Sequence, residues 1–119
     1  MNQLNSIILE GNIVNDCVVS EPMPGFLVGK MQIAVERYWK NPDGEKQKDI
    51  SYFDIESYGN CAENAGKIGI KGRGVRVVGR LKQDSWTDSE QKVHSRVYVV
   101  AEHIEYKISK VEKEEEKTA

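Results

Sequence analysis

Aromatic side chains stand among basic ones at positions that strand alternation places away from a core. Tyr52 and Tyr58 share the polar parity of one predicted strand, and Trp86 shares its parity with basic residues of another. Trp39 lies where a strand runs out into a lysine-bearing loop. A ring can stack on the face of a base while a nearby cation pairs with its phosphate, and every base has such a face. The pattern therefore predicts a surface that binds single-stranded nucleic acid of any sequence.

The cations of this predicted surface come mostly from one part of a chain whose net charge is −2. Residues 67–96 hold eight basic residues against three acidic ones. Local charge, more than net charge, determines how a groove attracts phosphates. A place in the core stays open as an alternative for Tyr52 and Tyr58, because buried aromatic residues are common. The predicted basic contacts are Arg37, Lys40, Lys71, Arg73, Arg76, Arg80, Lys82 and Lys92.

The elements that must position these residues are mostly strands. Period-2 alternation and β-branched runs predict strands over residues 4–14, 27–39, 50–58, 74–86 and 93–108. Helical spacing predicts two to three helical turns from Asn60, as the N-cap, to Ile68. Residues 21–25 (EPMPG) are predicted to form a turn, and residues 41–48 a loop. This order predicts an all-β, five-stranded OB-fold Greek-key barrel with one short helix between strands 3 and 4.

Composition and length define the rest of the organisation. We expect one domain over residues 1–108 and a short, charged, disordered tail over residues 109–119. Neither a signal peptide nor a membrane-spanning run is recognisable, so a cytoplasmic location and no membrane partner are predicted.

Gly11, inside the first strand, marks a bulge, a bend or a close backbone approach.

Enzymatic and metal-dependent functions receive little support. Asp54 and Glu56 share a face and could perform acid–base chemistry or hold magnesium, but a phosphate-binding glycine loop, a nucleophile elbow and a triad are missing. The possible metal ligands lack the spacing of a metal site, so no metal or other cofactor and no enzymatic activity are predicted. These possible ligands are Cys17, Cys61, His94 and His103.

Several segments resemble the bacterial single-stranded DNA-binding proteins. Residues 58–64 (YGNCAEN) resemble their Phe-Gly-Lys-Leu-Ala-Glu segment, and residues 71–81 resemble their Lys-Gly followed by Val-x-x-x-Gly-x-Leu. Residues 83–88 (QDSWTD) resemble the next hairpin, and residues 8–12 (ILEGN) the opening strand. The resemblance extends from Leu4 to Tyr106 and is continuous from Tyr58 to Trp86.

The resemblance implies an OB-fold, homotetramers around which single-stranded DNA wraps, and protection of exposed strands during replication, recombination and repair. The stacking aromatics of the family fall here on Trp39, Tyr52, Tyr58 and Trp86.

Three acidic residues depart from the family pattern. Asp54, Glu56 and Asp84 stand near the implied DNA path, where we expect each to repel phosphate. The chain also ends in Glu-Glu-Glu-Lys-Thr-Ala, without the acidic tip and terminal phenylalanine through which the family recruits repair enzymes. Recruitment through the tail is therefore doubtful.

A primosomal-type OB-fold replication protein, acting mainly through protein–protein interactions, is the alternative. Such proteins are short and tend to be dimers, and a diluted basic face suits them. A tetramer would favour the single-stranded DNA-binding protein, whereas a dimer would favour this alternative.

Overall fold

The computed structural model describes residues 2–108, so the predicted tail over residues 109–119 lies outside the described residues. Six strands and one helix make up this part of the chain. In chain order they are β1 (Ile7–Ile13), β2 (Val18–Met23), β3 (Phe26–Lys40), β4 (Lys46–Tyr58), α1 (Gly59–Ile68), β5 (Gly74–Thr87) and β6 (Val93–Tyr106).

Five of the strands close into a barrel. The sheet has the order β1-β5-β6-β4-β3-β2, and an additional β1–β3 pairing closes the barrel and leaves β2 at the edge. All neighbours are antiparallel except β4 and β6, which meet in parallel at Ile55↔Val99 and Glu56↔Val100. The helix lies between the third and fourth barrel strands. The predicted all-β, five-stranded barrel with one short helix is thus confirmed.

The sixth strand, β2, corrects the prediction of a turn over residues 21–25. β2 extends to Met23 and includes Pro22, and the turn occupies only residues 24 and 25. The pairing of β2 with β3 shifts register between Ser20 and Met23. β2 is an edge strand, and Pro22 falls within this irregularity. The N–H that proline lacks therefore removes no regular hydrogen bond between β2 and β3. A β2–β3 hairpin therefore precedes the long third strand.

Other boundaries also differ from the predictions. β1 begins at Ile7 rather than at residue 4, and β6 ends at Tyr106 rather than at residue 108. β4 begins at Lys46 rather than at residue 50, because the loop closes by residue 45, where the Glu45 carbonyl accepts a hydrogen bond from Asn41 N–H at 3.0 Å. α1 begins at Gly59 with Tyr58 as its N-cap, so Asn60 is not the cap. The β3–β4 hairpin is consequently longer than the sequence pattern suggested, and it extends past the barrel.

Apolar side chains of alternate strand positions fill the barrel. Ile33, Ile55, Val77 and Val99 are essentially inaccessible to solvent and form one cluster. Of the bulge, bend or close backbone approach expected at Gly11, the structure shows the close approach, because a Cβ built there would lie 2.4 Å from the carbonyl oxygen of Ala34 in β3. Within residues 2–108 no helix is long and apolar enough to cross a membrane.

The phenol of Tyr106, at the end of β6, makes stability sensitive to alkaline pH. Its hydroxyl has no hydrogen-bond partner among the described residues, and burial raises its pKa to about 12. An unfolded tyrosine titrates near pH 10. Because the folded pKa is the higher one, stability is intact below about pH 10 and falls as the pH rises towards 12. We expect Tyr106→Phe to recover about 1 kcal/mol of that loss, allowing for solvent screening.

Urea unfolding at neutral pH and at pH 11 measures this effect. Tyr52→Phe is the matched control, because the Tyr52 ring is 57 % exposed. Equal alkaline losses of unfolding free energy in the wild type and Tyr106→Phe would contradict the prediction.

Candidate nucleic-acid interface

The outer face of the barrel, the side of β3, β4, β5 and β6 that points away from the core, carries three of the four predicted aromatic residues. Residues directly opposite in an antiparallel pair point to the same side of the sheet. Tyr52 pairs with Ala34 and is 57 % exposed. Tyr58 is half-buried, and its ring stacks on Phe26 with centroids 5.7 Å apart. The rings of Tyr52 and Tyr58 therefore lie on the side of β4 opposite the core.

Trp86, near the end of β5, is held by the neighbouring strand and loop. Its ring is half-exposed and stacks on His94 of β6, with centroids 5.7 Å apart and planes inclined by 22°. His94 Nε2 lies 2.7 Å from Asp88 Oδ2, and this hydrogen bond lowers the pKa of the Asp88 carboxyl. Asp88 Oδ1 also accepts backbone N–H bonds from Glu90 and Lys92, at 2.9 Å each. The loop thus fixes the ring that supports Trp86.

A hydrogen-bonded network occupies the outer face between β4 and β5. Arg96 Nη2 donates to Glu56 Oε1 at 2.8 Å, and this bond raises the pKa of Arg96. The Tyr58 hydroxyl donates to Glu56 Oε2 at 3.0 Å, and the Tyr98 hydroxyl donates to Asp84 Oδ2 at 2.9 Å. The Arg96 guanidinium lies 4.3 Å from the centroid of the Tyr98 ring. Arg96 and Tyr98 therefore belong to the face but were missed from the sequence. Their shared even parity with His94 is the signal that could have found them.

The three acidic residues that depart from the family pattern have different surroundings. Glu56 is buried, and Arg96 and the more distant Lys30, at 3.9 Å, oppose its charge. Asp84 is exposed but accepts from Tyr98, as described above, and lies 3.9 Å from Lys82. Asp54 is exposed, and its Oδ1 accepts a long 3.4 Å contact from Gln32 Nε2. The expected repulsion of phosphate therefore applies most directly to Asp54.

Trp39 lies on the other side of the β3–β4 hairpin. Trp39 pairs with Gln47, and both are odd-numbered, like the core residues of β3 and β4, whereas Tyr52 is even-numbered. Since the hairpin extends beyond the barrel here, Trp39 remains 39 % exposed, and the Arg37 guanidinium lies 5.5 Å from the centroid of its ring. Lys40 follows directly and is exposed. The structure brings Arg37 and Trp39 together on the face opposite Tyr52, whereas Lys40, which pairs with Lys46, lies on the Tyr52 side.

Arg76 is far from Trp86, despite the parity that the two residues share. The two are ten residues apart on β5, which corresponds to roughly 33 Å of extended strand. Arg76 Nη2 lies 2.7 Å from Glu10 Oε1, and its Nη1 lies 3.5 Å from Glu105 Oε2. The bond from Arg76 lowers the pKa of Glu10. Shared parity established the side of the strand, but it could not establish proximity along it.

Two other predicted cations also lie near the start of β5. Arg73 Nε donates to the Lys107 carbonyl at 3.0 Å, and its guanidinium lies 5.7 Å from the Tyr106 ring centroid. Lys71 is exposed, and its backbone N–H donates to Asp16 Oδ1 at 2.7 Å.

The remaining three cations lie along β5 or in the loop that follows it. Arg80 is 3.9 Å from Glu102 and Lys82 is 3.9 Å from Asp84, while Lys92, in the loop, is 3.8 Å from Glu90. Lys82 and Lys92 are therefore the predicted cations nearest Trp86 along β5 and the loop that follows it.

Metal ligands do not cluster in the described part of the chain. Over residues 2–108, no group of three or more His, Cys, Asp or Glu side chains could hold a metal ion. Cys17 and Cys61 are free thiols, and burial raises the pKa of each.

Comparison with known proteins places this arrangement in a family. Residues 4–107 match the model of the Single-strand binding protein family. A single-stranded DNA-binding protein of Aquifex aeolicus (strain VF5) is 35 % identical over 101 residues, covering 85 % of this chain and 68 % of the relative. One of Wolinella succinogenes is 32 % identical over 106 residues, covering 89 % and 65 %. The chain thus spans about two thirds of the length of these relatives.

The fold also matches solved structures. A Plasmodium falciparum SSB in complex with ssDNA superposes with a TM-score of 0.80 at 20 % identity, covering 90 % of this chain and 97 % of that one. At this identity the likeness supports the OB-fold alone. The match over residues 4–107 spans the whole barrel and all four predicted aromatic residues. The chain therefore belongs to the Single-strand binding protein family.

Proposed function

We propose that this protein binds single-stranded DNA without sequence preference and protects it during replication, recombination and repair. The observation that carries the proposal is the exposure of Tyr52 and Trp86 on one barrel face, in a chain of this family. Exposed rings on a rigid sheet offer stacking surfaces to successive bases, and stacking does not depend on base identity. The protein coats the strand passively and performs no catalytic step.

The proposed contacts divide into two groups by their surroundings. Bases stack on Tyr52, Tyr58 and Trp86 on the outer face and on Trp39 at the β3–β4 hairpin. Phosphates meet the cations nearest these rings, which are Arg37, Lys40, Lys82 and Lys92. Arg80 pairs with Val100, which in turn pairs with Glu56, so Arg80 lies level with the Tyr58 end of β4 and also meets phosphate there. Lys71, Arg73 and Arg76 lie farther along the barrel and serve a strand that continues around it.

We further propose that residues 1–108 form the DNA-binding unit, which assembles into a homotetramer and acts in the cytoplasm. Oligomer size, measured by sedimentation equilibrium, tests the assembly, and a dimer would favour the primosomal-type alternative.

A fluorescence titration with oligo-dT at two salt concentrations tests the binding itself. Base stacking on Trp39 and Trp86 should quench their emission. Each neutralised phosphate releases counterions, so the dissociation constant should rise steeply with salt. Duplex DNA of the same length is the control, because its bases are already stacked. Absence of quenching and of binding at low salt would refute the proposal.

A further inference from the structure

A cleft of about 340 Å³ opens on the outer face of the barrel, and its lining includes residues 54–56 of β4. These residues lie between Tyr52 and Tyr58 on the same strand. The volume is at the small end of the range for ligand pockets, which is about 300–1,000 Å³. A DNA strand that stacks on both tyrosine rings therefore passes over the cleft.

Two side chains of the cleft form a row of hydrogen-bonding groups. Gln32 of β3 pairs with Asp54 of β4, and Gln32 Nε2 donates to Asp54 Oδ1 at 3.4 Å. The amide turns its nitrogen to the carboxylate because its oxygen would be repelled. Within residues 2–108, Asp54 Oδ2 has no hydrogen-bond partner. The row therefore consists of one donor, Nε2, followed by two acceptors, Oδ1 and Oδ2.

The other carboxylates of the cleft are engaged by the protein. Glu56 Oε1 accepts a hydrogen bond from Arg96 at 2.8 Å, and Asp16 Oδ1 accepts the backbone N–H of Lys71 at 2.7 Å. The exposed charge of Asp54 repels phosphate, so a neutral base approaches this position more readily than the backbone of the strand does. The chemistry of the cleft thus suits the edge of a base.

One donor followed by two acceptors is also the pattern on the Watson–Crick edge of cytosine, and guanine is its complement. Guanine presents the acceptor O6 and then two donors, N1–H and N2–H₂. Adenine and cytosine each offer a carboxylate one donor beside an acceptor, and thymine offers one donor between two acceptors. Guanine is therefore the DNA base that satisfies all three groups of the row.

We propose that Gln32 and Asp54 bind the Watson–Crick edge of guanine, with Gln32 Nε2 donating to O6 and the Asp54 carboxylate accepting from N1–H and N2–H₂. This inference rests on the proposed function, because a bound strand must present the base. Asp54 is two residues from Tyr52, roughly 7 Å along β4. The guanine therefore belongs to a nucleotide close to the one stacked on Tyr52. Stacking on the rings stays independent of base identity, and the cleft adds one preferred position.

Alternating dT-dG and dT-dI oligonucleotides of equal length test this contact by fluorescence anisotropy. Inosine keeps the fused rings, N1–H and O6 of guanine but lacks the N2 amino group, so stacking is closely matched. We expect the wild type to bind dT-dG about 5-fold more tightly, the lower end of the range for a bidentate contact to a base, because Asp54 is exposed to water.

Substitutions separate this contact from other causes of a guanine preference. Asp54→Ala should bind dT-dG and dT-dI equally, and should bind oligo-dT more tightly than the wild type because a charge that repels phosphate is gone. Gln32→Ala should weaken binding of both alternating oligonucleotides, since both carry O6, and keep the preference for dG. Asp49→Ala is the matched control, because it removes an exposed carboxylate from the opposite side of β4 and should also keep the preference.

Two results would overturn the inference and leave the proposed function intact. One is equal affinity of the wild type for dT-dG and dT-dI. The other is a preference for dG that persists in Asp54→Ala, because guanine would then be bound elsewhere. Failure of the wild type to bind any oligonucleotide would refute the proposed function and this inference with it.

Discussion

Gly79→Ala is expected to destabilise the barrel by about 3 kcal/mol or more, because the added methyl group meets backbone. A Cβ at Gly79 would lie 2.0 Å from the carbonyl oxygen of Val100 and 3.1 Å from the Cα of Ala101, both in β6. The pairing of β5 with β6 shifts register at this point, so the strands are already held by an irregular ladder. Backbone cannot rotate away as a side chain can. Thermal unfolding should show a melting temperature lower by roughly 12 °C or more.

Gly44→Ala is the matched control for this substitution. Gly44 has a φ of +79°, and a Cβ there meets nothing within 4 Å. Only the left-handed backbone conformation opposes the change, at a cost of about 1–2 kcal/mol. Equal losses of melting temperature in the two variants would show that the close approach of β5 to β6 does not restrict position 79.

Replacing Tyr52 and Trp86 together by alanine should weaken oligo-dT binding about 30-fold or more. Each stacked ring contributes about 1–3 kcal/mol, a range general for OB-fold stacking surfaces, of which this family is an example. The residues lie on β4 and β5 with β6 between them, roughly 10 Å apart across the sheet. At that separation their effects should add to about 2–6 kcal/mol. Fluorescence anisotropy with labelled oligo-dT measures the loss.

Two controls accompany the double variant. Tyr52→Phe combined with Trp86→Phe retains a ring at both positions and should keep most of the affinity. On an oligonucleotide short enough to cover only Tyr52 and Trp86, Arg76→Ala should change affinity little, because Arg76 lies far along β5 from Trp86 and Glu10 and Glu105 already engage it. A larger loss in Arg76→Ala than in the double alanine variant would place the DNA on the β1 side of the barrel.

The barrel was predictable because alternation directly reports which side of a strand is buried. β3 illustrates this, since Met31, Ile33 and Val35 face the core as their parity indicates. β2 was not predictable in this way. Pro22 ordinarily ends a strand, and only the register shift on an edge strand lets it remain in one. This irregularity arises from the pairing of β2 with β3, so the residues around Pro22 carry no sequence pattern that predicts it.

The candidate site was predictable to the extent that it depends on parity within one strand. Parity placed Tyr52 and Trp86 away from the core, although a core position stayed open for Tyr52, and both rings are exposed. The parity of Arg76 was also correct, yet its distance from Trp86 follows from strand length and from the position of Glu10, which comes from another strand. The pairing of Arg96 with Glu56 joins strands that meet through the parallel contact, and no sequence spacing encodes it.

The partner of the first strand comes late in the chain. β1 pairs with β3 at two positions but with β5 at six, from Ile7↔Gly79 to Asn12↔Gly74. The β3–β4 hairpin, by contrast, closes from neighbouring residues. Local hairpins form early, whereas distant pairing must overcome the entropy of closing a long loop. During synthesis β1 can therefore complete its pairing only after β5 has been made. Refolding from denaturant should be limited by the rate at which these two strands meet.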